Sequence, residues 1–370
     1  MGICFSKSSG SPPHVAQTVS LGTPPGRLRW GGDAPLEQYQ IQQAAYHMGA
    51  YVLNEPVRSP RRLATAGQTV HDVRLLLKHG RGNVKADDIP SQGHNGIGSS
   101  VAMGGTPGAI KVARAVVMGA SVCDQTAALA AIVHAPHMAD GEISRTYGAK
   151  VPMTQITAEG DALPVRANHT WNELQRGGRD EAWTVVMDPW ANGPAVRLKD
   201  SAWGREPAKE ADWLMNKNRA ECLKGVIEEL IPNQHPLINY DVRVDLEYKQ
   251  RSPTPWIKYA EPQVISPEFA KSVGNALELL PEDEKEKIAS EMIRDTYGIQ
   301  RSWPNHQSAV ISVLEAVGQL NSLPRPPVVP PEYSTAIGSN RPGAEQLGAG
   351  NARADLESSS RSRARSSRDL

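Results

Sequence analysis

Three residues able to perform nucleophilic acyl chemistry together occur in order along the chain: Cys123, His169 and Asp188, separated by 46 and 19 residues. In such chemistry a thiolate attacks a carbonyl carbon and an imidazole moves the proton. A carboxylate holds that imidazole in the required tautomer. The stretch from Gly119 to Ala131 reads as a turn feeding a helix, with Ser121 as the expected N-cap and Asp124 as its capping-box partner three residues on. Cys123 then falls in the first helical turn, where the helix dipole favours negative charge and so favours a thiolate. Such a centre also needs an oxyanion hole. The backbone N–H of Cys123 is its first expected donor, and the sequence specifies no second.

The base and its carboxylate sit in strand-like sequence. Pro164 to Leu174 alternates so that Val165, Ala167, His169, Trp171 and Glu173 share one face. Ala182 to Asp188 forms a second expected strand, and Gly177-Gly178-Arg179-Asp180 between them suits a tight hairpin. With Gly178 and Arg179 as the central turn residues, His169 lies directly opposite Asp188, about 5 Å away at Cβ. Trp171, Trp183 and Trp190 are expected to cluster around the site. Cys222 lies well inside a helical pattern and is expected to be a buried, inert thiol.

The elements that must position these residues are legible in periodicity. Leu36 to Asn54, Trp213 to Ile231, Phe269 to Tyr297 (interrupted near Pro281) and Ala309 to Leu320 read as helices. Residues 150 to 200 alternate in short runs broken by Gly and Pro, as strands and hairpins do. Helices flanking a short antiparallel sheet make an α+β fold. Gly80 to Gly108, including Gly93-His94-Asn95-Gly96-Ile97-Gly98, reads as a surface loop bordering the cleft. It is not a phosphate cradle, because no Gly-Lys-Ser/Thr follows. His134, His137 and Asp140 are not expected to hold zinc, and no metal or cofactor is expected anywhere.

The ends differ from the middle. Residues 1–30 form a Ser- and Pro-rich arm, residues 31–325 the expected catalytic domain with a possible lobe at 205–325, and residues 326–370 a Gly-, Ser- and Arg-rich tail. Forty basic residues balance forty acidic ones, which argues against nucleic acid as a partner. Three cysteines in 370 residues exclude a disulfide scaffold. No apolar run reaches the roughly 20 residues of a membrane span. Met1-Gly2-Ile3-Cys4-Phe5-Ser6-Lys7 instead fits N-myristoylation at Gly2, with Cys4 placed for palmitoylation. Two acyl chains anchor stably where one does not, so the expected address is a membrane surface.

Taken together, the sequence around Cys123, His169-Thr-Trp-Asn-Glu-Leu174 and Trp183-Thr-Val-Val-Met-Asp188-Pro-Trp190 resembles the transglutaminase-like (papain-like) core. With the acylation-like start, the chain resembles the AvrPphE/HopX/XopE family of bacterial type III effectors. The thiol motifs span about residues 119 to 190. The resemblance implies secretion by a type III system, acylation in a plant host cell, residence at the host plasma membrane and interference with immunity. It implies a thiol protease, deamidase or transglutaminase acting on a host protein. The calcium dependence of animal transglutaminases is not implied, since no acidic loop near residues 100 to 200 would hold the ion. Two other readings stand beside this one. One is a non-catalytic, membrane-tethered module that sequesters a host protein; the other is a structural protein in which these residues are merely core.

Overall fold

The computed structural model describes residues 21, 34–103, 108–231, 257–324 and 328. Gly2 and Cys4, with the rest of the arm except residue 21, lie outside the described residues. So does the tail beyond residue 328. The architecture is mixed helix and sheet, α+β. In chain order the helices and strands are α1 (Gln38–Val52), α2 (Pro60–Leu76), β1 (Gly80–Arg81), α3 (His94–Met103), α4 (Ala109–Met118), β2 (Ala120–Ser121), α5 (Cys123–Val133), β3 (Glu142–Ile156) and β4 (Ala162–Arg176). There follow β5 (Val185–Met187), β6 (Val196–Arg197), β7 (Lys209–Asn216), α6 (Lys217–Leu230), β8 (Lys258–Tyr259), α7 (Pro267–Glu278), α8 (Glu282–Tyr297) and α9 (His306–Val317).

A long antiparallel hairpin, β3 with β4, is the frame. It pairs without a break from Glu142↔Arg176 to Ile156↔Ala162. Around it the sheet runs β6-β5-β4-β3-β7, with β8 paired to the far end of β3. Separately, β1 and β2 form a short parallel ladder, Gly80 with Ala120 and Arg81 with Ser121. Helix α5 packs on β4, and every residue from Gln125 to Val133 is buried. Its small Ala127, Ala128, Ala130 and Ala131 let the backbone approach the sheet, and a helix apolar all round belongs inside. Helices α7, α8 and α9 pack against α1 within the same compact unit.

Several helices follow the sequence pattern closely: α1, the pair α7 and α8 separated at Pro281, and α9. Others correct it. Trp213 to Asn216 is the end of β7, not helix. Asn216 starts α6 by accepting from the Arg219 N–H at 2.9 Å. Gly93 to Gly98 is no loop: Gly93 precedes α3, and its next five residues open the helix. Ser121 does not cap α5. It is paired in β2, its hydroxyl meets Thr126 Oγ1 at 2.6 Å, and the N-cap is Val122. Asp124 makes an ion pair with Lys111 at 2.6 Å instead of closing a capping box. Cys222 is exposed rather than buried.

The turn that delivers Cys123 depends on Gly119. It ends α4 in the left-handed region at φ +62°, where a side chain is strained, and a Cβ there would lie 2.8 Å from His79 Cδ2. Gly119→Ala should therefore destabilise the fold by more than about 1 kcal/mol, measured as a lower denaturant midpoint. A midpoint equal to wild type would show that the turn tolerates a side chain.

Candidate active site

Cys123 is the first residue of α5 and is half-buried. Val122, in extended conformation, offers no side-chain acceptor to the first-turn N–H groups. Only the reverse bond forms, from Val122 N–H to Gln125 Oε1 at 3.1 Å. The amide of Cys123 is left pointing out of the helix start, beside its own sulfur.

His169 sits on β4, buried and facing α5. Its Nε2 donates to Asp188 Oδ2 at 2.7 Å. The expected two-residue turn is absent: β5 begins only at Val185, after a loop in which Asp180 O accepts from both Trp183 and Thr184 N–H. The strands pair Asn172 with Met187, so the register is displaced by two residues from the one that sets His169 opposite Asp188. A two-residue displacement preserves the face, because side chains alternate with period two. Asp188 just beyond β5 lies diagonally from His169, and the side chains still meet.

Asp188 is buried and fully engaged. Oδ2 also accepts from Trp203 Nε1 at 2.9 Å, and Oδ1 accepts from the backbone N–H groups of Trp190 and Ala191, each at 3.2 Å. Those turn residues are held in turn by Arg74, whose guanidinium donates to the carbonyls of Pro189, Ala191 and Gly193. With every acceptor direction of the carboxylate used, the imidazole orientation is set. Nδ1, the opposite ring nitrogen, is buried and has no partner at full hydrogen-bond geometry, while Cys123 lies close enough to interact with the ring.

Burial alone pulls the His169 pKa down. The charge and hydrogen bond of Asp188, and then the Cys123 thiol, outweigh it and raise the pKa from 6.5 to about 9. The protonated ring is further enclosed by indoles, with Trp203 at 4.6 Å, Trp190 at 4.8 Å and Trp171 at 5.8 Å between centroids. Trp183 is not part of this enclosure. It is 43% exposed and stacks under Arg58 at the surface. Tyr259 borders the thiol: burial first, then the negative charge of Cys123, raise its phenol pKa. Trp203 also lines a cavity of about 420 Å³, with Met153, Arg205, Glu206, Gln263 and Glu268 among others.

The structure thus brings Cys123, His169 and Asp188 together. Sequence reasoning missed Trp203, Arg74, Tyr259 and Asn83, described below. None has a local signature; each arrives through a contact distant in sequence. His134 is buried and hydrogen-bonded to Thr69 Oγ1 at 2.8 Å, with burial first and His137 next lowering its pKa to about 3. Among the described residues no group of His, Cys, Asp and Glu could hold a metal ion, and no helix is long and apolar enough to cross a membrane. No family model, curated protein or solved structure matches the chain.

Two outcomes follow from this geometry. Because the folded pKa of His169 lies above its ordinary value, its stabilising contribution is complete below about pH 6.5 and lost as pH rises towards about 9. Chemical denaturation across that range should show declining stability, and His169→Gln should flatten the decline; an equal slope in the variant would refute the assignment. Trp203→Phe removes one charge-assisted hydrogen bond to Asp188 and should cost about 1.5–3 kcal/mol of stability. Denaturant titration at pH 6 measures it, and a variant as stable as wild type would show the bond to be dispensable.

Proposed function

We propose that this protein is a thiol enzyme acting on carboxamide or peptide carbonyls of a protein substrate, with Cys123 as nucleophile, His169 as acid–base and Asp188 as orienting carboxylate. The observation that carries the reading is the 2.7 Å hydrogen bond from His169 Nε2 to a fully bonded, buried Asp188, with the other edge of the ring turned to a thiol at a helix start. A core histidine with no chemical task needs neither the carboxylate nor a sulfur across the ring.

The reaction proceeds as thiolate–imidazolium chemistry allows. The Cys123 sulfur adds to the carbonyl carbon and a C–S bond forms, as the π pair moves to oxygen. Collapse of that oxyanion breaks the C–N bond, and His169 delivers its proton to the departing nitrogen. The resulting thioester is resolved by water, giving cleavage or deamidation, or by an amine, giving a cross-link. In the reading suggested by resemblance, the fold is a transglutaminase-like core. The protein is then a type III effector held at the host plasma membrane through Gly2 and Cys4, and its substrate is a plant protein whose modification alters immunity.

The first test needs no substrate. Cys123 should be alkylated by iodoacetamide faster than Cys222 below pH 7, and His169→Ala should abolish that advantage. Equal rates for the two cysteines, or no effect of His169→Ala, would reject the enzyme and favour a tethered binding module. For the reaction class, wild type and Cys123→Ala are compared on plant membrane proteins by new amino termini, by ammonia release and by uptake of a labelled amine. Each readout should be lost in the variant.

A further inference from the structure

We infer that Asn83 is the second oxyanion-hole donor of this site, its side-chain Nδ2 acting beside the backbone N–H of Cys123; the inference rests on the thiol-enzyme reading above. Asn83 is forty residues from Cys123 in sequence and carries no motif. Three observations place it near the start of α5.

The first is the parallel ladder. Gly80 pairs with Ala120 and Arg81 with Ser121, and the Gly82 N–H continues it by donating to Ser121 O at 2.9 Å. The ladder ends there: Gly82 and Asn83 form the turn closed by the Val84 N–H on Arg81 O at 3.2 Å, so Asn83 stands one residue beyond the bond to Ser121 O, and Cys123 two residues beyond Ser121. Close packing holds this approach: a Cβ on Gly82 would come within 2.3 Å of the Ser99 side chain.

The second is Tyr259. Its N–H donates to Asn83 O at 2.8 Å, and its phenol is near enough to Cys123 to feel the charge on the sulfur. Asn83 and Cys123 therefore have Tyr259 as a common neighbour.

The third is the direction of the amide. Trp190 Nε1 donates to Asn83 Oδ1 at 2.9 Å. An indole N–H can only donate, so the amide oxygen must face Trp190 and the NH₂ group must face away from it. Trp190 is the same residue whose ring covers His169 at 4.8 Å and whose backbone N–H bonds Asp188. The group that walls the base thus also aims the amide. Asn83 is half-buried, and no hydrogen bond among the described residues uses its Nδ2, which leaves the amide hydrogens available on the side away from Trp190.

A donor aimed in this way does little for the ground state. It is worth most when the carbonyl oxygen acquires charge as the thiolate adds, because a preorganised dipole pays no reorganisation at that moment. Cys123 N–H alone supplies one donor to that oxygen, and Asn83 supplies a second from the turn after β1.

The test separates nucleophilicity from oxyanion stabilisation. Full-length wild type, Asn83→Ala and Asn83→Asp are reacted with iodoacetamide, whose displacement develops no oxyanion. They are also reacted with p-nitrophenyl acetate, whose thiolate adduct passes through one before p-nitrophenolate leaves. Modification is read at the Cys123 peptide by mass spectrometry, so that Cys4 and Cys222 do not contribute. Asn83→Asp keeps the acceptor for Trp190 Nε1 while removing the donor, so it guards against misfolding of the alanine variant. The expected result is a ratio of Cys123 acetylation to iodoacetamide alkylation lowered by about 10²–10³ in both variants, since any effect of the new carboxylate on the thiolate enters both reactions alike. A ratio lowered by less than about tenfold in both variants, while wild-type alkylation still depends on His169, would overturn the role of Asn83 alone. A parallel loss of both reactions would overturn it too, by showing that Asn83 acts through Trp190 on the base. Wild-type alkylation that is independent of His169 would instead remove the thiol-enzyme reading on which the inference rests.

Discussion

A carboxylate taken out of water must find donors for all its lone pairs, and in this protein the burial of Asp188 organises the surroundings. Its four hydrogen bonds come from His169, the Trp203 indole and the consecutive amides of Trp190 and Ala191. The cost of leaving any of these positions empty is large because the group is charged and dry. Satisfying it dictates the turn after β5, the placement of Trp203 and the tautomer of His169. The same turn would present bare carbonyls if Arg74 did not bond three of them. The orientation of the imidazole and the burial of the carboxylate are here one constraint.

Around that carboxylate, two pieces of secondary structure have to meet without being neighbours in sequence. The long β3–β4 hairpin carries the base, and α5 carries the thiol at its start. They can touch because the helix side chains facing the sheet are small, and because Gly119 lets the chain leave α4 and enter β2 in a single residue. The β1–β2 ladder then does for the thiol what β4–β5 does for the base, bringing a distant strand alongside. Arg81 ties this side down with a buried ion pair to Asp87 at 2.8 Å and with bonds to Trp190 O and Asn192 Oδ1. The segments that follow β1 and β5 are therefore linked through one guanidinium. Such buried pairs add little net stability but are costly to break on one side, which suits a scaffold whose value lies in geometry.

The aromatic enclosure gives the base its character. A histidine packed among three indoles would ordinarily be neutral, since burial disfavours its charge. The carboxylate at one edge and the thiol at the other reverse that outcome, so the proton resides on the ring near neutral pH. The cavity that Trp203 lines adds space next to this centre that side chains of both charges line, and Trp203 forms the common wall.

What the sequence determined by itself was local. Alternation along residues 165 to 173 set His169 on the buried face, helical periodicity announced α1 and α9, and the small-residue run after Cys123 marked a helix beginning at a thiol. These properties follow from side-chain spacing within a few residues, and period-two and period-3.6 patterns report them directly. The register of β5 against β4 was decided elsewhere. The loop after β4 is long, and the depth of Asp188 follows from the bonds it must make, so the tight turn suggested by the two glycines does not form. Likewise Trp203, not Trp183, completes the enclosure, and the β1–β2 ladder brings the segment before Asn83 alongside the one before Cys123, forty residues away. Non-local pairing leaves no periodic trace because it depends on how packed elements exclude one another. Only the tertiary structure, where buried polar groups have found their partners, decides it.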